Sequence, residues 1–186
     1  MKGRGVHFNF HLCLALQFVL IAVTFGIGID NQSVRCISAE KRALLDFKKG
    51  LIDEEDLLAS WTSEDEECCK WKGVGCDNMT GHVVMLDLRP RFIHDDYYES
   101  TGWTGIGGEI GSSLLELKQL SHLDLSFNGF DTIPDFIGSL TELTYLNLSS
   151  NSLTGLIPYQ LGNLSRLLYL DLSGLDQSLI SDNLVW

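Results

Sequence analysis

Leucine returns at fixed offsets through the second half of this chain. Leu120-x-x-Leu123-x-Leu125-x-x-Asn128 is matched by Leu143-x-x-Leu146-x-Leu148-x-x-Asn151 and by Leu167-x-x-Leu170-x-Leu172, at steps of 23 and 24 residues. A degenerate copy, Val83-x-x-Leu86-x-Leu88, precedes the first by 37 residues. The rest of each unit keeps the same register. Ile110, Ile133 and Ile157 are each followed four residues on by Leu114, Ile137 and Leu161, and seven on by Leu117, Leu140 and Leu164.

The segment x-Leu-x-Leu-x has a period of two, so it is a short strand with its leucines on one face. The chain then turns, runs back and starts the next strand beside the first. Successive strands therefore stack in parallel, about 4.8 Å apart. No turn buries its own leucines; its neighbours do, at roughly 1.5–3 kcal/mol of transfer energy per buried leucine. Asn128 and Asn151 stand where the chain leaves the strand, and their amides are expected to satisfy backbone groups of adjacent turns. Ahead of the repeats, Ser38 is placed to cap a helix with Glu40 in its first turn and Gly50 just past its end. Ala43, Leu44, Phe47 and Leu51 fall on one side of it and would cover the apolar edge of the first repeat, as a solenoid requires. Trp61 and Trp71 read as packing residues.

Composition adds a compartment. The hydrophobic content of 45% excludes a disordered chain, and the net charge of −12 excludes nucleic acid as a partner. Residues 1–28 read as a secretory signal peptide: Lys2 and Arg4 open them, an apolar run follows from Leu12, and Gly26 and Gly28 close it. Its removal takes both of those cations and lowers the net charge from −12 to −14. Beyond it stand Cys36, Cys68, Cys69 and Cys76, an even set suited to an oxidising compartment. A bridge between the adjacent Cys68 and Cys69 is disfavoured by geometry, and spacing leaves the other two pairings open. Asn31, Asn78, Asn147 and Asn163 each begin an N-x-S/T sequon, as on a glycosylated surface.

Catalytic patterns are missing from the sequence. There is no G-x-S-x-G, H-E-x-x-H or G-x-x-x-x-G-K. The glycine-rich GWTGIGGEIG at 102–111 does not satisfy G-x-G-x-x-G and reads as an irregular loop entering Ile110. The acidic runs 53–56 and 64–67 lack the alternation of a calcium loop and read as solvated. No histidine or cysteine spacing suits a metal. The chain is thus expected to be a non-enzymatic binding module with no cofactor.

Two surfaces are candidates for binding. Residues flanking the strand leucines form columns: Met85, His122, Tyr145 and Tyr169; then Asp87, Asp124, Asn147 and Asp171; then Arg89, Ser126, Ser149 and Ser173. From these, His122, Asp124, Tyr145, Tyr169 and Asp171 are the proposed ligand contacts. The insertion at 89–107, RPRFIHDDYYESTGWTGIG, offers Tyr97, Tyr98 and Trp103 among acids, a composition suited to recognition.

These units resemble the leucine-rich repeat of plant extracellular proteins. The resemblance rests on LNLSSNSLTGLIPYQLGNL and on the L-x-G-x-I-P element at Leu153–Pro158. CISAEKRALLDFKKGL, Ser60-Trp61 and CCKWKGVGCDNMTGHVVMLDL look like the N-terminal cap of that family. The resemblance implies an α/β, right-handed solenoid with parallel strands on one face and a disulfide-stapled helical cap at residues 29–80. It also implies repeats over 81–186 and the pairs Cys36–Cys68 and Cys69–Cys76. IPDFIGSLTELTYLNLSS and IPYQLGNLSRLLYLDLS are similar to the class of receptor-like proteins that includes the fungal-xylanase receptors. That class implies a microbial or peptide ligand, co-receptor or adaptor kinases as partners, and an extracellular face of the plasma membrane. It also implies attachment through a span outside this chain. A secreted inhibitor of cell-wall-degrading hydrolases, of the polygalacturonase-inhibitor kind, shares cap and repeats. So does a receptor kinase ectodomain cut short. Leu175 replaces the repeat asparagine in the last unit, and the chain is expected to be the N-terminal part of a longer protein or a shortened, apoplastic product.

Overall fold

The computed structural model describes residues 35–90, 105–174 and 179–180. Tyr97, Tyr98, Trp103, Asn31 and the segment 1–28 lie outside the described residues.

The repeat strands stack in the register the leucines set. β2 (Val74–Cys76), β3 (Val83–Asp87), β5 (His122–Asp124), β7 (Tyr145–Asn147) and β9 (Tyr169–Asp171) form one sheet in that order. From β3 onward all pairs are parallel, and Leu86, Leu123, Leu146 and Leu170 are direct partners. The first three are fully buried. Leu170, on the last described strand of the sheet, is not. Leu114, Leu117, Leu120, Ile137, Leu140, Leu143, Leu161 and Leu164 join the same core from the returning half of each turn.

That returning half is a ladder of 3₁₀ turns, Ser112–Glu116, Asp135–Ser139 and Tyr159–Asn163. The last two approach so closely that a Cβ on Gly138 would lie 2.0 Å from the carbonyl oxygen of Gln160. Glycine is needed there for clearance between turns.

Asn128 and Asn151 do what their position in the repeat implies. The Asn128 amide donates to the carbonyls of Leu88, Leu125 and Ser126 and accepts from Ile106 N–H. Asn151 repeats the pattern one turn on, with Leu125, Leu148, Ser149 and Phe130. Each asparagine thus bridges its own turn to the preceding one, closing backbone groups that burial cuts off from water.

The cap helix α1 (Ser38–Lys49) packs on the first 3₁₀ turn through Ala43, Leu44 and Phe47. Its start differs from the sequence expectation. Ile37, extended at φ −67° and ψ 122°, is the N-cap, and no side chain caps the helix, so Ser38 is its first residue. Glu40 is buried and ties α1 to the first repeat: its carboxylate accepts from Val83 N–H at 2.7 Å and meets His82 Nδ1 at 2.8 Å. Leu51 lies beyond the helix in β1 (Leu51–Ile52). Trp61 and Trp71 are buried and stacked, with ring centroids 5.6 Å apart. Both bridges form, Cys36–Cys68 and Cys69–Cys76, each with Cα atoms 5.5 Å apart. This is the pairing implied by the family resemblance.

Two features were not expected. A lateral sheet joins β1, β4 (Gly107–Gly108) and β6 (Gly129–Phe130), with β1 antiparallel to β4 and β4 parallel to β6. Gly107 and Gly108, read from the sequence as part of an irregular loop, are therefore strand. Gly108, at φ 96°, leaves no room for a Cβ, which would meet the Gly50 carbonyl at 2.4 Å. Further on, β8 (Gly155–Leu156) pairs in parallel with β10 (Leu179–Ile180), a step of 24 residues. This pair is a separate two-stranded sheet. Asp53, read as part of a solvated acidic loop, is also structural: its carboxylate accepts from Leu57 N–H and Leu58 N–H at 2.8 Å each.

Candidate recognition face

The strands β5, β7 and β9 leave the sheet through the same local turn. The carboxylate of Asp124 accepts from the backbone N–H and the hydroxyl of Ser126, at 3.0 and 2.6 Å. Asn147 with Ser149, and Asp171 with Ser173, repeat this one turn at a time. The device explains the second and third columns. At the inner turns Asp124, Ser126, Asn147 and Ser149 are buried, so these side chains shape the face without presenting themselves on it. Asp124, a ligand contact in the sequence reading, is fully buried and is a positioning residue.

Asp124 is held by an unusual number of donors. Besides Ser126, its Oδ2 accepts from Tyr145 Oη at 3.1 Å and from Asn147 Nδ2 at 3.2 Å, and Arg89 Nε lies 3.3 Å away. Arg89 also forks onto Asp87 at 2.9 and 2.7 Å. One cation is shared between two carboxylates, one of them inaccessible to water. A buried carboxylate is tolerated only under such pairing. Burial pushes the Asp87 carboxyl up, but the hydrogen bonds and charge of Arg89 outweigh it and hold the group below its ordinary range. The same contacts, Asp87 first, raise Arg89. Tyr145 is raised by burial and by the Asp124 charge, which keeps its hydroxyl protonated and donating. Asp171 is lowered by the hydroxyl and backbone N–H of Ser173.

The first column remains on the surface. His122, Tyr145 and Tyr169 are direct partners across three strands. Their rings stack with centroids 4.1 and 4.4 Å apart and planes within 11°. Parallel register puts identical positions side by side, and stacked aromatics follow from that spacing. Tyr169 is 43% exposed, and its hydroxyl meets Asp171 at 3.4 Å. The structure therefore brings together four of the five strand residues picked from sequence as contacts, and sets Asp124 beneath them.

Sequence reasoning missed the neighbouring depression. Lys72, Met85, Asp87, Arg89 and Phe127 line an open volume of about 570 Å³ at the cap end of the face. Phe127 lines it from a left-handed backbone, φ 56°; Ser150, at the equivalent position of the next turn, shares only that backbone conformation, φ 53°. The signal was present as the residue between serine and asparagine in each S-x-N, but only the backbone angle shows where its side chain goes.

Residues 37–77 match the family described as Leucine rich repeat N-terminal domain, and residues 113–176 match Leucine rich repeat. The chain is a leucine-rich-repeat protein. This repeat protein is 42% identical over 92% of its length to "Receptor-like protein EIX1" of Solanum lycopersicum, spanning 17% of that relative. It is 42% identical over 81% of its length to "Receptor-like protein EIX2" of the same species, spanning 15% of it. Among solved structures it is similar to the crystal structure of PEPR1-AtPEP1, with a TM-score of 0.61 and 30% identity, over 78% of this chain and 18% of that one. The repeat protein thus spans about a sixth of the curated relatives it matches. Among its described residues no helix is long and apolar enough to cross a membrane.

Proposed function

We propose that this chain is the extracellular recognition module of a plant receptor-like protein. It engages a microbial or peptide ligand and passes the signal to partner kinases in defence or development. The stacked His122–Tyr145–Tyr169 column carries the reading: a continuous aromatic edge held rigid by the sheet below it. Rigid aromatic side chains lose little entropy on contact and are enriched at binding hot spots. Arg89, Asp87 and Asp171 supply a charged rim on either side. The relatives named as receptor-like proteins support the class, and the likeness to the solved PEPR1-AtPEP1 structure supports the repeat fold. Residues 1–28 act as the export signal, and the two disulfides suit the extracellular space.

A purified fungal xylanase, the ligand implied by the sequence resemblance to the fungal-xylanase receptors, is the probe. Biolayer interferometry on the immobilised chain should show binding that weakens at least about tenfold when Tyr145 and Tyr169 are both replaced by alanine. Tyr159→Ala, in the 3₁₀ ladder and 80% exposed, should change nothing. Equal affinity for both variants would reject the strand face as the binding surface, and no binding to the unmodified chain would reject this ligand class.

A further inference from the structure

We propose that the described sequons are used selectively: Asn78 and Asn163 carry N-linked glycans and Asn147 does not. The inference rests on the reading of an exported chain, since glycan transfer belongs to the secretory pathway. In that reaction the asparagine amide nitrogen bonds to the anomeric carbon of a lipid-pyrophosphate-linked oligosaccharide. The bond from that carbon to the pyrophosphate oxygen breaks, the lipid pyrophosphate leaves, and the amide gives up one proton. The folded protein must then accommodate a bulky group on a nitrogen that keeps a single N–H.

Asn78 and Asn163 meet that condition. Asn78 is exposed in the turn after β2, where the Asp77 carboxylate holds Met79 N–H, Thr80 N–H and the Thr80 hydroxyl. Asn163 is exposed at the end of the last described 3₁₀ turn. Neither lies on the aromatic column.

Asn147 fails it. Its side chain is buried, with 7% exposure for the residue, in a strand paired in parallel on both sides. Its Nδ2 donates to Asp124 Oδ2 at 3.2 Å and to Tyr145 Oη at 3.4 Å, both members of the same hydrogen-bonded network. Its Oδ1 accepts from the N–H and hydroxyl of Ser149, the third residue of its own sequon. A sugar on Nδ2 would displace Asp124, a fully buried carboxylate, from one of its donors and push apart strands in direct register. Molecules modified there before folding cannot close this network. Those that fold keep Asn147 bare, and the aromatic column stays free of glycan.

The test uses the full 186-residue chain expressed in plant cells. Protease-resistant material from the secreted and soluble cellular pools is deglycosylated enzymatically in ¹⁸O water, and each sequon is read by peptide mass spectrometry. Asn78 and Asn163 should carry the label and Asn147 should not. On gels, Asn78→Gln and Asn163→Gln should each raise mobility by one glycan, and Ser149→Ala, which removes the third sequon, by none. Label at Asn147 in the folded pool, with the other sites also labelled, would overturn selectivity while leaving export intact. A bare Asn78 or Asn163 would overturn the assignment at that position. All three bare would overturn this inference together with the export reading.

Discussion

At the scale of the residue, most of the polar side chains on this sheet serve the backbone. Asn151 has its amide nitrogen on three carbonyls, and alanine there would leave buried acceptors without donors. The expected loss is about 2–4 kcal/mol, read by urea unfolding, against almost none for exposed Ser152→Ala. Asp87 and Asp171 are held below the ordinary carboxylate range, so each adds stability above about pH 4 that fades as pH falls through its lowered native value. Arg89→Met should therefore destabilise strongly at neutral pH, where Asp87 and buried Asp124 lose their shared cation. The deficit against the parent chain should shrink as pH falls through the lowered native value of Asp87, below which the protonated carboxyl no longer gains from the guanidinium. A deficit that stays constant across that range would show that Arg89 acts by packing. The asparagine roles were legible in the sequence because their repeat position fixes what surrounds them. The depth of Asp124 was not, because alternation puts it on the outward side. Only the turn to Ser126 and the cover of Arg89 and Tyr145 bury it.

At the scale of the element, the leucine period gave the parallel strands and their register, since one face must be buried and a slip by one residue would expose it. The lateral sheet was not legible, because two-residue strands such as Gly107–Gly108 and Gly129–Phe130 have no side-chain period to read. The same holds for β2, three residues long with a register shift between Gly75 and Cys76. The cap helix was found, but its first residue was misplaced because serine is a common cap and here the extended Ile37 precedes it. The cap is stapled by bridges of unequal span, 32 residues for Cys36–Cys68 and 7 for Cys69–Cys76. Loop-closure entropy assigns about 3–4 kcal/mol to the longer and about 2–3 kcal/mol to the shorter. Replacing Cys36 and Cys68 together by serine should lower the unfolding midpoint further than replacing Cys69 and Cys76. The reverse order would mean that native packing around Cys76 outweighs chain entropy. Gly138→Ala should cost about 1–3 kcal/mol by forcing adjacent 3₁₀ turns apart, and its test is the same unfolding midpoint.

At the scale of the whole molecule, a stack of turns separates two kinds of surface. The 3₁₀ ladder is where turns pack on one another, and the strand sheet is where identical positions line up into columns. A recognition role draws on the second. Hydrogen–deuterium exchange of the chain with and without bound fungal xylanase locates the contact directly. The expected result is slowed exchange confined to the strand segments 122–126, 145–149 and 169–173, together with the Arg89 side of the depression. Protection confined instead to the 3₁₀ segments 112–116, 135–139 and 159–163 would place recognition on the opposite half of each turn and contradict the account.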